Sequence, residues 1–269
     1  MIIFPHCKIN IGLQVISRRE DGFHDIATVF YPLPLTDVLE IITANKISFH
    51  ATGIGIPGDE AGNLCLKAYH LLQKDFPDLP PVSIHLHKAI PIGAGLGGGS
   101  SDAAFTLRLL NEKYHLDLSE VQLSDYAIRL GSDCAFFLQD KPCYATGRGN
   151  ELSPFTHGEL SGYQLVVVCP DIHVDTAWAY SKIAAKTPSR SLPNLVSQPV
   201  ANWRDVVIND FETPVFEVHP ILAGIKEALY TRGAYYASMS GSGSAIFGIF
   251  PKDKRVNDLA FENAKLFFL

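Results

Sequence analysis

Polar and apolar residues alternate over residues 4–13, the two-residue period of a strand with one covered face. The same signature recurs over residues 27–31 and 37–43, and more loosely over 48–54. At Asn63 the period lengthens. Leu64, Ala68, Leu71 and Leu72 fall on one side of a helix, and asparagine is a favoured residue just before a first turn. Pro77, Pro80 and Pro81 end that helix, and Val82-Ser83-Ile84-His85-Leu86-His87 returns to strict alternation. A glycine-rich run at 93–99 then empties into helix-forming residues that continue to Leu110. Ser119-Glu120-Val121-Gln122 has the form of a capping box, with Leu123, Ala127 and Leu130 on the buried stripe. Gly131 stands where a left-handed residue would close that helix.

Beyond residue 150 the pattern predicts a buried strand at 165–169, then a turn and helix over 170–186. Residues 189–202 are polar and contain prolines, which reads as a surface excursion. Ile221, Ile225 and Leu229 mark an amphipathic helix closed by Gly233. Strand, Ser240-Gly241-Ser242-Gly243-Ser244 loop and strand occupy 235–250, and the tail at 256–268 carries a helical period. This mixture of strands and helices predicts an α+β fold in both halves. The Pro-, Gly-, Ser- and Thr-rich stretch at 153–162 is the expected boundary, dividing the chain into domains 1–156 and 157–269.

Composition narrows the class. A chain of 269 residues, 47% of them hydrophobic, can fill two cores. No run approaches the ~18 apolar residues of a membrane helix, and Met1-Ile2-Ile3-Phe4-Pro5-His6 lacks the basic segment of a leader. Five scattered cysteines without a C-x-x-C pair favour reduced thiols in the cytoplasm over disulfides or zinc. A formal net charge of −6 argues against a nucleic-acid surface, and it requires a phosphate-bearing ligand to be met by a local cationic patch.

The glycine run carries the chemistry. Five of the seven residues from Gly93 to Gly99 lack a side chain, and a helix begins just beyond them. Bare backbone leading into a helix N-terminus gathers unpaired N–H groups on the positive end of the helix dipole, a phosphate site. A Walker A loop would need Lys-Ser or Lys-Thr after its last glycine, where Gly99-Ser100 stands. A protein-kinase glycine loop runs into a strand, and a flexible linker is not framed by a strand and a helix. Gly93-x-Gly95-x-x-Gly98 matches the dinucleotide fingerprint, but the preceding strand alternates, unlike the doubly buried strand of that fold.

The whole string Pro91-x-Gly93-x-Gly95-Leu96-Gly97-Gly98-Gly99-Ser100-Ser101 resembles the ATP loop of the GHMP small-molecule kinases, a superfamily that includes galactokinase, homoserine kinase and mevalonate kinase. The resemblance implies a two-domain fold: an N-terminal mixed α/β domain that binds ATP and a C-terminal ferredoxin-like domain. It implies ATP and Mg²⁺ as cofactors, with Ser100 or Ser101 beside the metal. Pro5-x-x-Lys8-x-Asn10 resembles the first motif, in which the lysine and asparagine line the acceptor site. Gly131-Ser132-Asp133 resembles the motif of the catalytic base, and a neighbouring ammonium would keep that carboxylate ionised, so Lys8 is expected to pair with Asp133. Read locally, Lys8 is equally a solvated edge charge and Asp133 a turn residue. The family often has proline two residues beyond this aspartate, where this chain has Ala135.

Arg19-Glu20-Asp21-Gly22-Phe23-His24 resembles the cytosine-binding string of one branch, with phenylalanine in place of tyrosine. An aromatic face stacks on a flat base and an imidazole reads its edge. A hairpin turn with a surface histidine is the plainer alternative. The resemblance implies a small-molecule substrate bearing a cytidine diphosphate group, with no nucleic acid or membrane partner, acted on by a monomer or homodimer. A second aromatic over the cytosine would come from the stretch after Thr176, with Tyr180 the positional match and Trp178 the alternate. Gly241-Ser242-Gly243 resembles the third motif, which braces the phosphate loop, and Asn63, Leu64 and Lys88 match positions near adenine. His85 and His87 share a strand face but have no third metal ligand in view. The competing functions are a GHMP kinase for homoserine, a sugar or mevalonate, and a silent nucleotide-binding regulator.

Overall fold

A computed structural model describes residues 1–156, 160–256 and 258–269. Its elements run in chain order as follows: β1 (Ile2–Ile3), β2 (His6–Arg18), β3 (His24–Thr36), β4 (Val38–Thr43), β5 (Ser48–Gly53), α1 (Leu64–Asp75), β6 (Val82–Lys88), α2 (Gly98–Tyr114), α3 (Glu120–Leu130), β7 (Cys143–Thr146) and β8 (Glu151–Pro154). After them come β9 (Tyr163–Pro170), α4 (Thr176–Ser181), α5 (Leu192–Val196), α6 (Glu212–Val218), α7 (Pro220–Thr231), β10 (Tyr236–Met239), β11 (Ile246–Pro251) and β12 (Ala264–Phe268). The chain packs as two compact units, neither contiguous in sequence. Among the described residues no helix is long and apolar enough to cross a membrane.

The first unit comprises Met1–Cys7, Pro34–Ile92 and Gly97–Asp140. Its sheet has the order β1-β4-β6-β5, with β4 antiparallel and β5 parallel to β6. The alternation read from the sequence is visible here: Val82, Ile84 and Leu86 are buried while His87 is exposed. Lys88 is in phase with the apolar set and is buried with it. Helices α1, α2 and α3 pack together, and their Tyr69, Leu72, Leu107, Leu110 and Ala127 side chains are buried. Asn63 caps α1 by accepting from the Cys65 amide, and the capping box at Ser119 and Gln122 is formed in both directions.

The second unit comprises Lys8–Leu33, Gly93–Leu96 and Lys141–Leu269. It holds an antiparallel sheet of order β10-β11-β9-β12 and most of the sheet β2-β3-β7-β8. Leu13, Val15 and Ile26 share one core with Val166, Val168, Leu222, Ile225, Leu229, Ile246 and Phe250. That shared core is why β2 and β3 belong with the C-terminal elements. Each such side chain contributes roughly 1.5–3 kcal/mol on burial. All five cysteines are buried, and no disulfide joins them.

Several elements differ from the sequence reading. Gly131 has φ 174°, extended rather than left-handed, and a β-carbon there would meet Cys134 Sγ at 3.2 Å. The glycine serves space, not handedness. Helix α4 stops at Ser181 instead of reaching residue 186, because the backbone turns so that Lys186 N–H donates to the Val15 carbonyl. The stretch 189–202 is no surface excursion. It forms α5 and a short 3₁₀ turn, Val200–Asn202, which bury Leu192, Leu195, Val196 and Val200, and Pro193 falls in the first turn where a missing N–H costs nothing. In α7 it is Leu222 that faces the core, whereas Ile221 is 55% exposed. The tail ends in strand β12, antiparallel to β9, rather than in a helix. Ladder bonds to β9 give it backbone partners that its local period does not foretell. Within 153–162, the first two residues end β8, and the part of the expected boundary at 157–159 lies outside the described residues.

Candidate active site

Lys8 lies on β2 and is 3% exposed. Strand alternation does not explain its burial, because Cys7, Ile9 and Ile11 are buried as well. Its ammonium donates to Asn10 Oδ1 at 2.5 Å and to the Gly95 carbonyl at 3.0 Å, and lies 5.1 Å from the centre of the Phe30 ring. Its backbone N–H donates to the Leu96 carbonyl at 3.0 Å. Asn10 in turn donates from Nδ2 to Thr28 Oγ1, and Thr28 donates to the Gly12 carbonyl. The expectation of a solvated edge charge is excluded: the lysine is held in a fixed hydrogen-bonded setting.

The Ser240–Ser244 loop meets the same point. Ser240 Oγ donates to the Gly95 carbonyl at 2.9 Å and accepts from the Asn10 amide at 3.2 Å. Gly95 has φ +77°, and a β-carbon there would lie 2.0 Å from the Ser240 carbonyl oxygen, so only glycine fits. Gly241 also has positive φ, and a β-carbon there would lie 3.4 Å from Asn10 Oδ1. Thr176 and Ser242 join through their hydroxyls at 2.9 Å, and a β-carbon at Gly93 would lie 3.2 Å from His173 Nδ1. Gly243 is packed against Met239 Sδ, 2.7 Å from where its β-carbon would be.

The expected base clamp is also in the second unit. His24 and Tyr180 stack with ring centres 4.8 Å apart and planes 14° apart. Of the two aromatics weighed, Tyr180 is thus the one that reaches His24, and both it and Trp178 pack against the C-terminal core. Phe23 is 51% exposed, with the Arg148 guanidinium 4.4 Å from its ring centre. Burial, assisted by Arg18, lowers the His24 pKa and favours the neutral imidazole, which offers both a donor and an acceptor.

In the first unit, Gly97 (φ +71°) precedes α2 and provides no side-chain cap. The first-turn amides of this helix are therefore open to an external acceptor. Ser101 Oγ is buried without a hydrogen-bond partner. Ser100 lies against Cys134, whose thiol is pushed up to about 12, chiefly by burial. Asp133 stands at the start of the short 3₁₀ turn Cys134–Leu138.

Asn63, Leu64 and Lys88 line one cavity of about 230 Å³ together with Ile56, Gly99 and Asp102. Lys88 does not project into it as a free cation. Its ammonium is clamped by Asp37 and, at 2.8 Å, by Asp102. Asp37 also accepts from the amides of Ala89 and Ile90. Burial raises the Asp102 pKa to about 7, with Lys88 opposing the shift. The two carboxylates raise that of Lys88 although burial opposes them. Asp37 and Asp102 did not emerge from the sequence as site residues, yet the phase of Lys88 with Val82, Ile84 and Leu86 signals a buried ammonium that requires a counter-charge.

Residues 63–141 match the family described as GHMP kinases N terminal domain, and residues 193–267 match GHMP kinases C terminal. A 4-diphosphocytidyl-2-C-methyl-D-erythritol kinase from Bacteroides fragilis is 49% identical over 271 residues, spanning 99% of this chain and 98% of that protein. Its counterpart from Bacteroides thetaiotaomicron is 50% identical over 254 residues, 93% of this chain and 92% of that one. The crystal structure of a 4-(cytidine 5'-diphospho)-2C-methyl-D-erythritol kinase superimposes with a TM-score of 0.79 at 33% identity, covering 93% of this chain and 90% of the other.

Proposed function

Because the chain belongs to the 4-diphosphocytidyl-2-C-methyl-D-erythritol kinase family of the GHMP kinases, we propose that it transfers the γ-phosphoryl group of ATP to the 2-hydroxyl of 4-diphosphocytidyl-2-C-methyl-D-erythritol, in the cytoplasm, on the route to isoprenoid precursors. The observation that carries this reading is the buried Lys8 ammonium fixed by Asn10 and by the carbonyl of a loop glycine. Phosphoryl transfer is catalysed chiefly by positioning and fixed positive charge, and a preorganised lysine supplies both.

In this reading the amides of Gly95 to Ser101 hold the triphosphate. The residues fit such a ligand: the α2 amides have no side-chain cap and the Ser101 hydroxyl is unpartnered. Ser100 or Ser101 would be the hydroxyl adjoining a Mg²⁺ ion bound with ATP, and such an ion would supply charge neutralisation at the phosphates. Among the described residues no cluster of His, Cys, Asp or Glu would hold an ion by itself. Asn63, Leu64 and Lys88 border the adenine. Asp133 accepts the proton of the acceptor hydroxyl, and Lys8 stabilises the charge that develops on transfer. Phe23, His24 and Tyr180 hold the cytosine, with Asn10, Thr176 and the Gly241–Gly243 segment beside the acceptor. We set the boundary between the two family segments at 156/157.

The deciding experiment offers the purified protein labelled ATP and a panel of acceptors: the cytidylyl alcohol, the same alcohol without its nucleotide, homoserine, mevalonate and galactose. Label should enter the cytidylyl alcohol. Transfer to any of the others instead, or no transfer at all, overturns the proposal.

A further inference from the structure

A buried asparagine about 200 residues beyond Lys8 belongs to none of the three recognised motifs. Asn209 is 1% exposed. Its Nδ2 donates to two carbonyls, those of Met239 and Gly241, each at 2.8 Å, and its Oδ1 accepts from the Phe211 amide at 3.0 Å. Every polar atom of that side chain is thus committed. Its backbone is pinned as well: residue 209 bridges to Leu13 on β2, whose N–H donates to the Ile208 carbonyl and whose carbonyl accepts from the Asp210 amide.

The two carbonyls that Asn209 grips flank Ser240. Holding the peptide that enters Ser240 and the peptide that leaves Gly241 restricts the two residues between them. Ser240 Oγ then reaches the Gly95 carbonyl, the same oxygen to which the Lys8 ammonium donates. The hydrogen bonds of the Asn209 side chain go to Met239, Gly241 and Phe211, one step removed from Lys8 and the glycine loop.

We propose that Asn209 is a positioning residue for phosphoryl transfer, setting the place of the Lys8 ammonium through Met239, Gly241, Ser240 and the Gly95 carbonyl. The inference rests on the assignment of Lys8 made above. Its signature is a loss in kcat rather than in KM, because the relay ends on a charge that matters when the phosphoryl group moves.

The test uses Asn209→Asp, which keeps the shape but removes both donors, and Asn209→Ser, which keeps one. Trp203→Phe, a change to a fully buried side chain elsewhere in the same unit, serves as a control for lost stability. All are assayed per folded molecule, with folding checked by circular dichroism. Asn209→Asp should lower kcat about 10- to 100-fold, the scale of an ångström-sized misplacement, with KM for ATP and for the cytidylyl alcohol within about threefold. Asn209→Ser should fall between it and the native protein, and Trp203→Phe should keep native kcat despite a lower melting temperature. Native kcat in a folded Asn209→Asp overturns the proposal, as does a rise confined to KM or an equal kcat loss in Trp203→Phe. Should Asn209→Asp not fold, Asn209→Ser decides alone, and native kcat there overturns the proposal. A native protein inactive on the cytidylyl alcohol would instead sink the functional reading, which keeps the two failures distinct.

Discussion

Replacing Gly95 by alanine asks one backbone position to bear two separate loads. The first is conformational: at φ +77° an L-residue costs about 1–2 kcal/mol. The second is steric. The new methyl would sit 2.0 Å from the Ser240 carbonyl oxygen and 2.9 Å from its carbon. That is roughly 1.5 Å inside an ordinary contact, and the obstacle is backbone, so overpacking adds about 1–3 kcal/mol. A total near 3 kcal/mol lowers the melting temperature by about 6–12 °C in a chain of this size. Gly233→Ala separates the two loads. It has φ +95°, but its β-carbon would meet only the flexible end of Lys254 at 3.1 Å, so the conformational cost alone remains, about 1–2 kcal/mol. Function should diverge further. Moving the Gly95 carbonyl by an ångström breaks its bonds to Lys8 and Ser240, and a charge-assisted hydrogen bond is worth about 1.5–3 kcal/mol, or roughly 10- to 150-fold in turnover. The measurements are thermal melts and a coupled ADP-release assay at 25 °C. Equal stability losses at the two glycines, or native kcat in Gly95→Ala, would refute the reasoning.

Three further outcomes follow from the site. Asp133→Asn should lose about 10²–10⁴-fold in kcat with ATP affinity nearly unchanged, and unaltered turnover would remove Asp133 from the role of base. His24→Ala should raise KM for the cytidylyl alcohol while leaving that for ATP alone, and equal damage to both would speak against cytosine recognition. Burial raises the Asp102 pKa to about 7, against an ordinary value of 3.8. Its contribution is therefore whole below about pH 4 and fades as pH rises through 7, so native stability to urea should decline from pH 5 to 8 more than that of Asp102→Asn. Parallel declines would place the proton elsewhere.

What the sequence revealed depended on the range of the interaction. The N-caps of α1 and α3 and the alternation of β6 are fixed by neighbours within a few residues and could be read directly, and the glycine run was plain from its composition, although Gly95 fits against Ser240, 145 residues on. The buried state of Lys88 was also there to be read, in its phase with Ile84 and Leu86, but its partner Asp37 lies 51 residues away. In 189–202 the spacing of Leu192, Leu195, Val196 and Val200 is helical, and the prolines masked it. The tail misled for the opposite reason: its residues carry a helical period, while the ladder to β9 that makes Ala264–Phe268 a strand is set by residues about a hundred positions earlier. Asn209 sits in no recognisable motif, because its importance comes from carbonyls 30 and 32 residues downstream.

The backbone of Asn10 rests on the hydroxyl of Ser240, 230 residues further along the chain. During synthesis, then, Asn10, the partner of the Lys8 ammonium, is made 230 residues before the serine that steadies its backbone. Closing so long a span costs only modestly more than closing a short one. The consequence is one of timing: a polypeptide halted before residue 240 should own its glycine loop and its lysine yet lack the hydroxyl that braces the Asn10 backbone and the Gly95 carbonyl.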